Sequence, residues 1–573
     1  MLLVEYSWEY LRGNAKEEGV GLDPINSSLQ HKNALKMGGC IEFSYCLFFS
    51  VSEDGENTAR DVYACQQQQH YLNHRYYHPY HRAMKTTIIT TTAGGRGGPG
   101  VEHRLPKQKV RGSSPGDFAP FWLGYVPAES MVNEKRFGKL RVDPTPGFRL
   151  AGGLGGQVFT YAALWDEDKA RIVTLVPLNE TIKDLLCVFL PGRNQSSESF
   201  SVPAKLSIIP ENHGATFTAA FIECPLQKAH RLGTVPPAFV GLVLRKHEAA
   251  GPQMFLPIDR PLDGLVGDDL RAGRRQRLRD FTVCTPVMHS RYGKASQLVE
   301  LLELSRLLGA GRVVIYRESV AANVAAVLGL YRDQWEAGSD SLEVVVHPWE
   351  LPSLLERGVA RTMRQERDIH YFGQLAAIDH CLHRYRHLSR HIVFSDVDEF
   401  AMPRRHANWS ALLAERRAIR RASRQVPLAG FMFRNSVFNK NRPSPAPNYE
   451  SESRLYGSAV LGLTLRDDDY MRREQRSKMI VDPKWVEVMG IHTIWKRSGI
   501  VDDVPPAQGF LAHYRSPLFD CKPQVRDLIV VDRFGEELVT RLKLVWSKLP
   551  GVSLGWQPAP KFNESSCKID TAS

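Results

Sequence analysis

The chain has 573 residues, of which 43% are apolar and 24% charged, and 74 Lys and Arg outnumber 62 Asp and Glu to give a net charge of +12. This composition excludes a wholly disordered chain, a collagen-like chain and a small disulfide scaffold, and the length suits about two to four domains. The positive excess suits acidic partners such as nucleotides, nucleic acid or anionic membranes. Because it is distributed over the whole chain, it does not indicate which of these partners binds.

The sequence contains no run of the ~20 consecutive apolar residues that cross a bilayer. The best N-terminal candidate, residues 40–51, is too short and includes Glu42. No clear signal peptide opens the chain, because its apolar start ends at Glu5 with no basic residue before it. We therefore expect a soluble chain, or one whose natural N-terminus differs from this one.

The nine cysteines form no CxxC pair, which argues against structural zinc and thioredoxin-like redox sites. Because nine is an odd number, at least one cysteine stays unpaired within the chain. Five N-x-[S/T] sequons permit a secretory route without demonstrating it: Asn26, Asn179, Asn194, Asn408 and Asn563.

Residues 1–150 are predicted to be a low-complexity, disordered leader. Glutamine, His/Tyr, threonine and glycine tracts follow one another there, and such segments bury too little apolar surface to offset chain entropy. A metal site is the alternative interpretation of four closely spaced histidines. We do not favour it, because a flexible tract lacks the packed neighbours that orient ligands. These residues are His70, His74, His78 and His81.

Residues 151–265 are predicted to form a small β-rich domain. Short apolar runs between turn-forming residues are typical of antiparallel strands. The runs cover residues 158–162, 172–176, 185–190, 217–222 and 238–244. Residues 266–280 follow as an Arg-rich linker. It is interpreted as a solvated segment, and no nucleic-acid partner is predicted, because aromatic and fold-level support for one is missing.

Residues 281–550 alternate strand and helix, and residues 551–573 are a tail. Strands are predicted at 281–284, 313–316, 342–346 and 392–394, and helices at 294–308, from a Ser319 cap to about 331, and at 372–386. The first helix should end at Gly309. This alternation indicates an α/β fold in which helices cover both faces of a parallel sheet. Ligands bind beyond the carboxyl ends of such strands, where residues 395–400 fall.

Asp396 and Asp398 are the candidate binding residues at that edge. At positions i and i+2, their side chains point the same way if the backbone stays extended. Two carboxylates a few ångströms apart repel, so one takes up a proton unless a cation neutralises the pair. Mg²⁺ or Mn²⁺ would do so and would leave coordination positions for substrate phosphates and water. A surface turn without function is the alternative interpretation.

Several segments in this part of the chain resemble glycosyltransferase family 92 (DUF23). One is a helix that carries Gln374, Cys381 and Arg384, followed by an apolar strand that runs into D-x-D-E-F and Pro403. Other segments look like the opening and closing motifs of the family. They are residues 283–286, 307–310, 478–483, 489–492 and 513–515. The resemblance covers roughly residues 281–515, under half of the chain.

The resemblance implies a GT-A-like, Rossmann-like fold and an inverting transfer of a hexose, galactose from UDP-galactose, onto a glycan acceptor. Asp396 and Asp398 would then hold the metal, expected to be Mn²⁺, with the diphosphate. His492 or His513 would add a metal ligand, although a hydrogen-bonded core histidine is an equal alternative for each. The resemblance also suggests phosphate-neutralising cations, which could equally be ordinary salt-bridge partners. These are Lys478 and Arg515.

An inverting displacement needs a carboxylate within hydrogen-bond reach of the acceptor hydroxyl. The candidates are Glu450 and, in the acidic triplet, Asp467, Asp468 and Asp469, with Glu450 and Asp468 as the residues chosen. An acidic loop without a catalytic role is an equal alternative for the triplet.

The family also implies a compartment. Its members are usually anchored in the Golgi membrane, so we expect Golgi or secretory-pathway localisation by analogy alone, since this sequence shows no anchor. In such a lumen, cysteines would form disulfides whose pairing the sequence does not reveal. The candidates are Cys224, Cys284 and Cys381.

Two other functions compete with this interpretation. A haloacid-dehalogenase-like phosphatase also carries D-x-D after a buried strand, but its motif opens the domain and usually has Thr or Val where Phe400 stands. A non-catalytic carbohydrate-binding protein is the second alternative. The intact pair of aspartates argues against it without excluding it.

Overall fold

The computed structural model describes residues 147–555, apart from gaps at 155, 167, 179–181, 191–198, 227–236, 261–278, 340, 354, 356–367, 424–425 and 517–521, together with four earlier strands. The chain divides into two units, Met1–Lys109 and Val110–Ser573. In the first unit, β1 (Cys46–Val51) and β2 (Arg60–Cys65) form an antiparallel pair. The rest of the predicted leader in that unit, including its four histidines, lies outside the described residues, as does most of the Arg-rich linker.

An eleven-stranded sheet opens the described part of the second unit. Its strands are β3 (Ser130–Glu134), β4 (Gly138–Val142), β5 (Arg149–Leu150), β6 (Phe159–Asp166), β7 (Lys169–Pro177), β8 (Leu185–Leu190), β9 (Phe200–Pro203), β10 (Lys205–Ile208), β11 (Phe217–Pro225), β12 (Phe239–Leu244) and β13 (Phe255–Asp259). The main path runs β10-β11-β7-β6-β13-β12-β8-β9, and only β6 and β13 on it are parallel. All five apolar runs predicted as strands lie in this sheet. The sheet also includes β3, β4 and β5, which precede residue 151.

Alternating strands and helices follow. They are β14 (Arg279–Met288), α1 (Ala295–Leu308), β15 (Arg312–Arg317), α2 (Ala322–Glu336), β16 (Glu343–Pro348), α3 (Gln374–Tyr385) and β17 (Ser389–Phe394). The four strands are parallel and lie in the order β16-β15-β14-β17. The predicted mixed α/β architecture is therefore present, and all four predicted strands are found.

The predicted helices need two corrections. Helix α1 ends as expected at Gly309, whose φ of 110° suits glycine. Ser319 does not cap α2, because its hydroxyl binds the Arg291 amide and Glu318 instead, and α2 starts at Ala322 without a side-chain cap. Helix α3 starts at Gln374 rather than at residue 372, since Tyr371 and Phe372 have positive φ angles.

The remaining elements complete this part of the fold. They are β18 (Glu399–Pro403), α4 (Trp409–Ser423), β19 (Leu428–Phe433), β20 (Asn435–Asn439), α5 (Glu450–Tyr456), α6 (Ala459–Gly462), β21 (Leu465–Asp467), β22 (Lys478–Val481), β23 (Val486–Met489), β24 (Ile494–Arg497), β25 (Ile500–Asp503), β26 (Gly509–Arg515), β27 (Gln524–Arg526) and α7 (Ile529–Ser547). Strands β22, β19 and β25 extend the parallel sheet beyond β17 to seven strands. A second sheet has the order β18-β26-β20-β21-β27, and β23 pairs with β24.

Helix α3 links the eleven-stranded and seven-stranded sheets. Its buried Leu375 and Leu382 share one hydrophobic cluster with Phe221 of β11 and with Ile392 of β17. Cys284–Cys381 joins β14 to α3 in this cluster, and a second disulfide, Cys187–Cys224, joins β8 to β11 within the eleven-stranded sheet. In the described part of the chain, no helix combines the length and apolar character that crossing a bilayer requires.

Candidate functional site

The parallel strands create a crevice at their carboxyl ends. Strand β15 lies on one side of β14 and β17 on the other, so the winding direction of the chain reverses between β14 and β17. In open α/β sheets, ligands bind outside the carboxyl ends of the strands at such a reversal. Asp396 follows β17 at this point, and His289 follows β14. The predicted binding edge is therefore also the topological switch point.

The two aspartates lie in a turn between β17 and β18. The Glu399 amide donates to the Asp396 carbonyl oxygen at 3.2 Å. The segment is thus not extended, contrary to the condition under which both side chains would point the same way. As a result, the two carboxylates have different partners.

Asp396 forms an ion pair with a buried lysine. Lys478 Nζ lies 3.0 Å from Asp396 Oδ1 and 3.5 Å from Glu399 Oε2, and the Lys478 side chain is only 4% exposed. Burial disfavours the ammonium, but the two carboxylates outweigh it and raise the pKa of Lys478. Lys478 is therefore a fixed positive charge, and it competes with any metal ion for the Asp396 carboxylate.

Glu399 also holds His513. Strands β18 and β26 place these two residues directly opposite each other, and His513 Nδ1 lies 3.0 Å from Glu399 Oε1. Burial would raise the pKa of Glu399, whose side chain is 1% exposed, but Lys478 and His513 outweigh this and lower it. Glu399 is consequently an ionised acceptor. The amide nitrogen of Asn435 is also 3.0 Å from Nδ1, but it donates to the Arg476 carbonyl as well.

This arrangement fixes the chemistry of the other ring nitrogen. A carboxylate only accepts hydrogen bonds, so Glu399 favours the tautomer of His513 that carries the proton on Nδ1 and leaves the lone pair on Nε2. Nε2 lies 3.6 Å from Asp398 Oδ1. Two metal–ligand bonds of about 2.1 Å would span this distance, and a carboxylate on the far ring nitrogen is typical of metal-binding histidines. Asp398 and His513 therefore fit a divalent cation.

Within the described residues, no group of three or more His, Cys, Asp and Glu side chains could hold a metal ion. A cation bound by Asp398 and His513 would thus take its other ligands from water or phosphate oxygens. Mg²⁺-like ions commonly bind in this way, through one or two carboxylates plus phosphates. Mn²⁺ also accepts carboxylate and imidazole ligands.

Further cations surround the acidic pair, two of which the sequence reasoning missed. Lys440 Nζ lies 3.9 Å from Asp398 Oδ2. Burial, then Lys294 and Arg515, lowers the pKa of Lys440. Burial and Arg515 likewise lower the pKa of Arg476. These positive charges crowd one another, so an anion bound among them would relieve their repulsion. Lys440 follows the unpredicted strand β20, so no sequence signal marked it.

The structure brings together four of the predicted site residues: Asp396, Asp398, Lys478 and His513. Arg515 ends β26 two residues after His513 and acts electrostatically on Lys440 and Arg476. His492 instead bonds the Ser477 carbonyl through Nδ1 at 3.2 Å. Burial and Lys478 lower its pKa to about 4, so its ring is neutral.

The predicted general bases have other partners. Glu450 opens α5 and pairs with Arg454 one turn later at 2.5 Å. Asp467 is buried at the end of β21, 3.9 Å from Lys522, and burial raises its pKa. Asp468 is exposed, and Asp469 pairs with Lys522 at 3.3 Å. Among the described residues, neither Glu450 nor the acidic triplet forms an ion pair with the Asp396 and Asp398 cluster.

Comparison with known proteins identifies the family. Residues 279–544 match the model of glycosyltransferase family 92. This segment belongs to glycosyltransferase family 92. The match includes β14 through most of α7 and therefore the whole cluster around Asp398. It favours the transferase interpretation over the phosphatase one.

One curated relative is Beta-1,4-galactosyltransferase galt-1 of Caenorhabditis elegans. It is 26% identical over 123 residues, which are 22% of this chain and 25% of the relative. The aligned part of this chain thus spans about a quarter of the length of that relative.

Proposed function

We propose that this chain is a metal-dependent, inverting glycosyltransferase that moves galactose from UDP-galactose onto a glycan acceptor. The observation that carries the proposal is the pair of Asp398 Oδ1 and His513 Nε2, 3.6 Å apart, beside crowded cations at the switch point of a family 92 domain. The name of the galt-1 relative supports galactose as the sugar. The same family and the β16-β15-β14-β17 strand order support a GT-A-like fold as part of the proposal.

The cations explain how a nucleotide diphosphate would bind. A diphosphate brings at least two negative charges, and Lys440, Arg476 and Arg515 offer separate positive groups for them. Their mutual repulsion in the free protein would become attraction to the shared anion. Arginine can bind phosphate in a bidentate manner, whereas lysine acts as a point charge. Binding should therefore weaken steeply with salt.

Asp398 and His513 are the proposed ligands of a divalent cation, expected to be Mn²⁺. When bound, the ion would neutralise the negative charge that develops on the departing diphosphate. Glu399 keeps the His513 ring in the tautomer that presents Nε2. Lys478 pairs with both Glu399 and Asp396, so Asp396 is assigned to substrate binding rather than to strong metal ligation.

The general base remains a choice between Glu450 and Asp468. Inversion requires a carboxylate that accepts the proton of the acceptor hydroxyl as that oxygen attacks the anomeric carbon. Both side chains are solvent-accessible, and only weak surface partners would have to be exchanged for an acceptor. Glu450→Gln and Asp468→Asn should separate them, because only the true base should lower kcat with little change in the KM for UDP-galactose.

The two disulfides support a location in an oxidising compartment. Disulfides persist in oxidising environments and are rare in the cytosol. Cys187–Cys224 and Cys284–Cys381 are both formed between core strands or helices. We therefore propose that the protein works in the lumen of the secretory pathway, in the Golgi, with membrane association by family analogy.

A transfer assay tests the proposed function. The chain should turn over UDP-galactose onto a glycan array in the presence of Mn²⁺ and lose this activity on chelation. Asp398→Asn should lower turnover by about 10³-fold, whereas Asp333→Asn, at an exposed position on α2, should not. Glycan binding without turnover would favour the non-catalytic alternative, and phosphate release from phosphomonoesters would favour a phosphatase.

A further inference from the structure

A second charged site lies at the opposite edge of the same sheet. Strand β17 runs from Ser389 to Phe394 before Asp396, and β22 lies antiparallel beside it, with Val481 opposite Ile392. The start of β17 and the end of β22 therefore lie side by side. They are one strand length, about 17–20 Å, from the carboxyl edge of the sheet, where Asp396 lies. A cleft of about 300 Å³ opens there.

Four cations from separate elements line this cleft. Arg386 follows α3, Arg390 lies on β17, Arg417 on α4, and Lys484 in the turn after β22. Arg386 is held in place, because its guanidinium donates to Asp166 Oδ1 at 2.9 Å and to the Pro483 carbonyl at 3.2 Å. Convergence from four elements onto one concavity distinguishes this surface from a simple run of charged residues.

Three acidic side chains, Asp166, Asp280 and Asp482, lie beside these four cations, so the described residues leave an excess of one positive charge. Asp482 is the one acid in the lining, and it lies 3.7 Å from Arg417. Burial raises its pKa, which disfavours its charged form. Asp280 pairs with Arg390 at 3.1 Å, but Arg390 is 65% exposed, so this surface pair is weak and easily exchanged. The cleft therefore keeps a net positive charge.

His391 orients one of the cations. The Arg417 guanidinium donates to His391 Nε2 at 2.6 Å, and the imidazole stacks on Phe281 with 5.0 Å between ring centroids. His391 is buried, and its Nε2 must be unprotonated to accept this bond. A neutral imidazole beside Arg417 positions that guanidinium without neutralising it.

We propose that this cleft binds a sulfate or phosphate monoester group. Arginine and lysine side chains are the usual ligands of such oxyanions, and the guanidinium groups of the three arginines in the lining can bind them in a bidentate manner. The volume is at the lower limit of ligand pockets, ~300 Å³, which suits one compact group. Because the cleft is at the amino edge of the sheet, it is separate from the switch-point crevice and does not depend on the proposed transferase activity.

Calorimetric titration at low salt tests this proposal, with inorganic sulfate, inorganic phosphate, a sulfated disaccharide and its unsulfated counterpart as probes. Arg390→Glu/Lys484→Glu should weaken binding of the sulfated probe by about tenfold or more, since each removed charge-assisted contact is substantial. Arg541→Glu/Lys543→Glu on α7 makes the same change in net charge away from the cleft and should leave binding intact.

The probes distinguish the source of the group. Tighter binding of the sulfated disaccharide than of inorganic sulfate indicates an ester carried on a sugar, and equal binding indicates the free anion. Absence of binding to all three anionic probes overturns the proposal. If binding persists unchanged in Arg390→Glu/Lys484→Glu, the anion binds elsewhere, such as at the carboxyl edge of the sheet, and the proposal is also overturned. Arg390→Gln/Lys484→Gln should show the same loss, so the result does not depend on how the charge-reversed variant folds.

Discussion

The two edges of the seven-stranded sheet use the same pair of strands, β17 and β22, for opposite charge arrangements. At the carboxyl edge, Lys478 lies between two carboxylates; it is buried with Glu399, whereas Asp396 is 34% exposed. At the amino edge, four cations line a cleft that contains one acid, Asp482. The cluster around Lys478 is internally paired, whereas the cleft leaves an excess of one positive charge among its described side chains. Charged residues therefore have to be judged by their partners, not by their number.

A buried histidine occurs near each edge. Burial and Lys478 lower the pKa of His492 to about 4, and burial and Arg417 lower that of His391 to about 4. Both rings are thus neutral at pH 7. The comparison predicts that variants at the carboxyl edge disturb folding or metal binding, whereas exposed variants at the amino edge affect ligand binding alone.

Replacing Lys478 is expected to have the largest effect on stability. Lys478→Met leaves the 1%-exposed Glu399 without its cation, and breaking a buried pair in this way costs about 3–5 kcal/mol. Because Asp396 is 34% exposed, water weakens its ion pair with Lys478, so we expect a loss of unfolding free energy at the lower end of this range. Urea unfolding measures the loss. Lys484→Met at the other edge should cost no more than ~0.5 kcal/mol, and equal losses for the two variants would contradict the comparison.

Acidification should lower the stability of the folded chain through His391. Its pKa is about 4 in the folded chain against ~6.5 when unfolded, because burial, Arg417 and Arg390 oppose its protonation more than the backbone of Asp280 favours it. Between these values only the unfolded chain takes up the proton, so stability present above pH 6.5 falls as the pH drops towards 4, by up to ~3 kcal/mol.

The pH dependence of unfolding of His391→Gln, subtracted from that of the unsubstituted chain, isolates this contribution. The difference should change between pH 6.5 and 4 and stay constant above that range. A flat difference for His391→Gln would show that the pKa of His391 is the same in the folded and unfolded chains.

Glu399→Gln should weaken metal binding without removing a ligand. The amide of glutamine can donate to His513 Nδ1, so the tautomer with a protonated Nε2 becomes competitive and the lone pair that faces Asp398 is lost. Replacing such an orienting partner typically costs 10–100-fold in metal affinity. Mn²⁺ titration followed by electron paramagnetic resonance measures affinity, and ¹⁵N NMR of the His513 ring reports the tautomer. Unchanged affinity and an unchanged ring would refute the orienting role.

The smallest effect is expected for Arg390→Ala. Arg390 and Asp280 are both about two-thirds exposed, and such pairs contribute at most ~1 kcal/mol and commonly less. The midpoint temperature of thermal unfolding should therefore change little. A large destabilisation would mean that Arg390 is structural and would remove it from the cleft variants as a clean test of binding.

Much of the fold could be predicted because local patterns determined it. Buried strands such as β8 and β15 are continuous apolar runs, and α1 ends at Gly309, where a left-handed residue is required. The start of α3 was missed because the sequence does not show that Tyr371 and Phe372 adopt positive φ angles. Asp396 and Asp398 could be proposed as candidate binding residues because a short motif follows a recognisable strand.

The rest of the candidate site depends on long-range pairing that one sequence does not reveal. His513 meets Glu399 only because β26 pairs with β18, and Lys440 reaches Asp398 from the end of β20, which was not predicted. The cleft at the other edge likewise combines Arg390 and Lys484, which are almost a hundred residues apart. Cys187 was overlooked for the same reason, although its partner Cys224 was among the predicted disulfide cysteines.

The most direct test of the central claim, that Asp398 and His513 hold the cation used in sugar transfer, is Mn²⁺-dependent turnover of UDP-galactose by Asp398→Asn. The loss of an ion that stabilises the departing diphosphate by several kcal/mol predicts a fall in kcat/KM of about 10³-fold, with Asp333→Asn unchanged. Turnover that persists in Asp398→Asn and is insensitive to chelation would contradict the account.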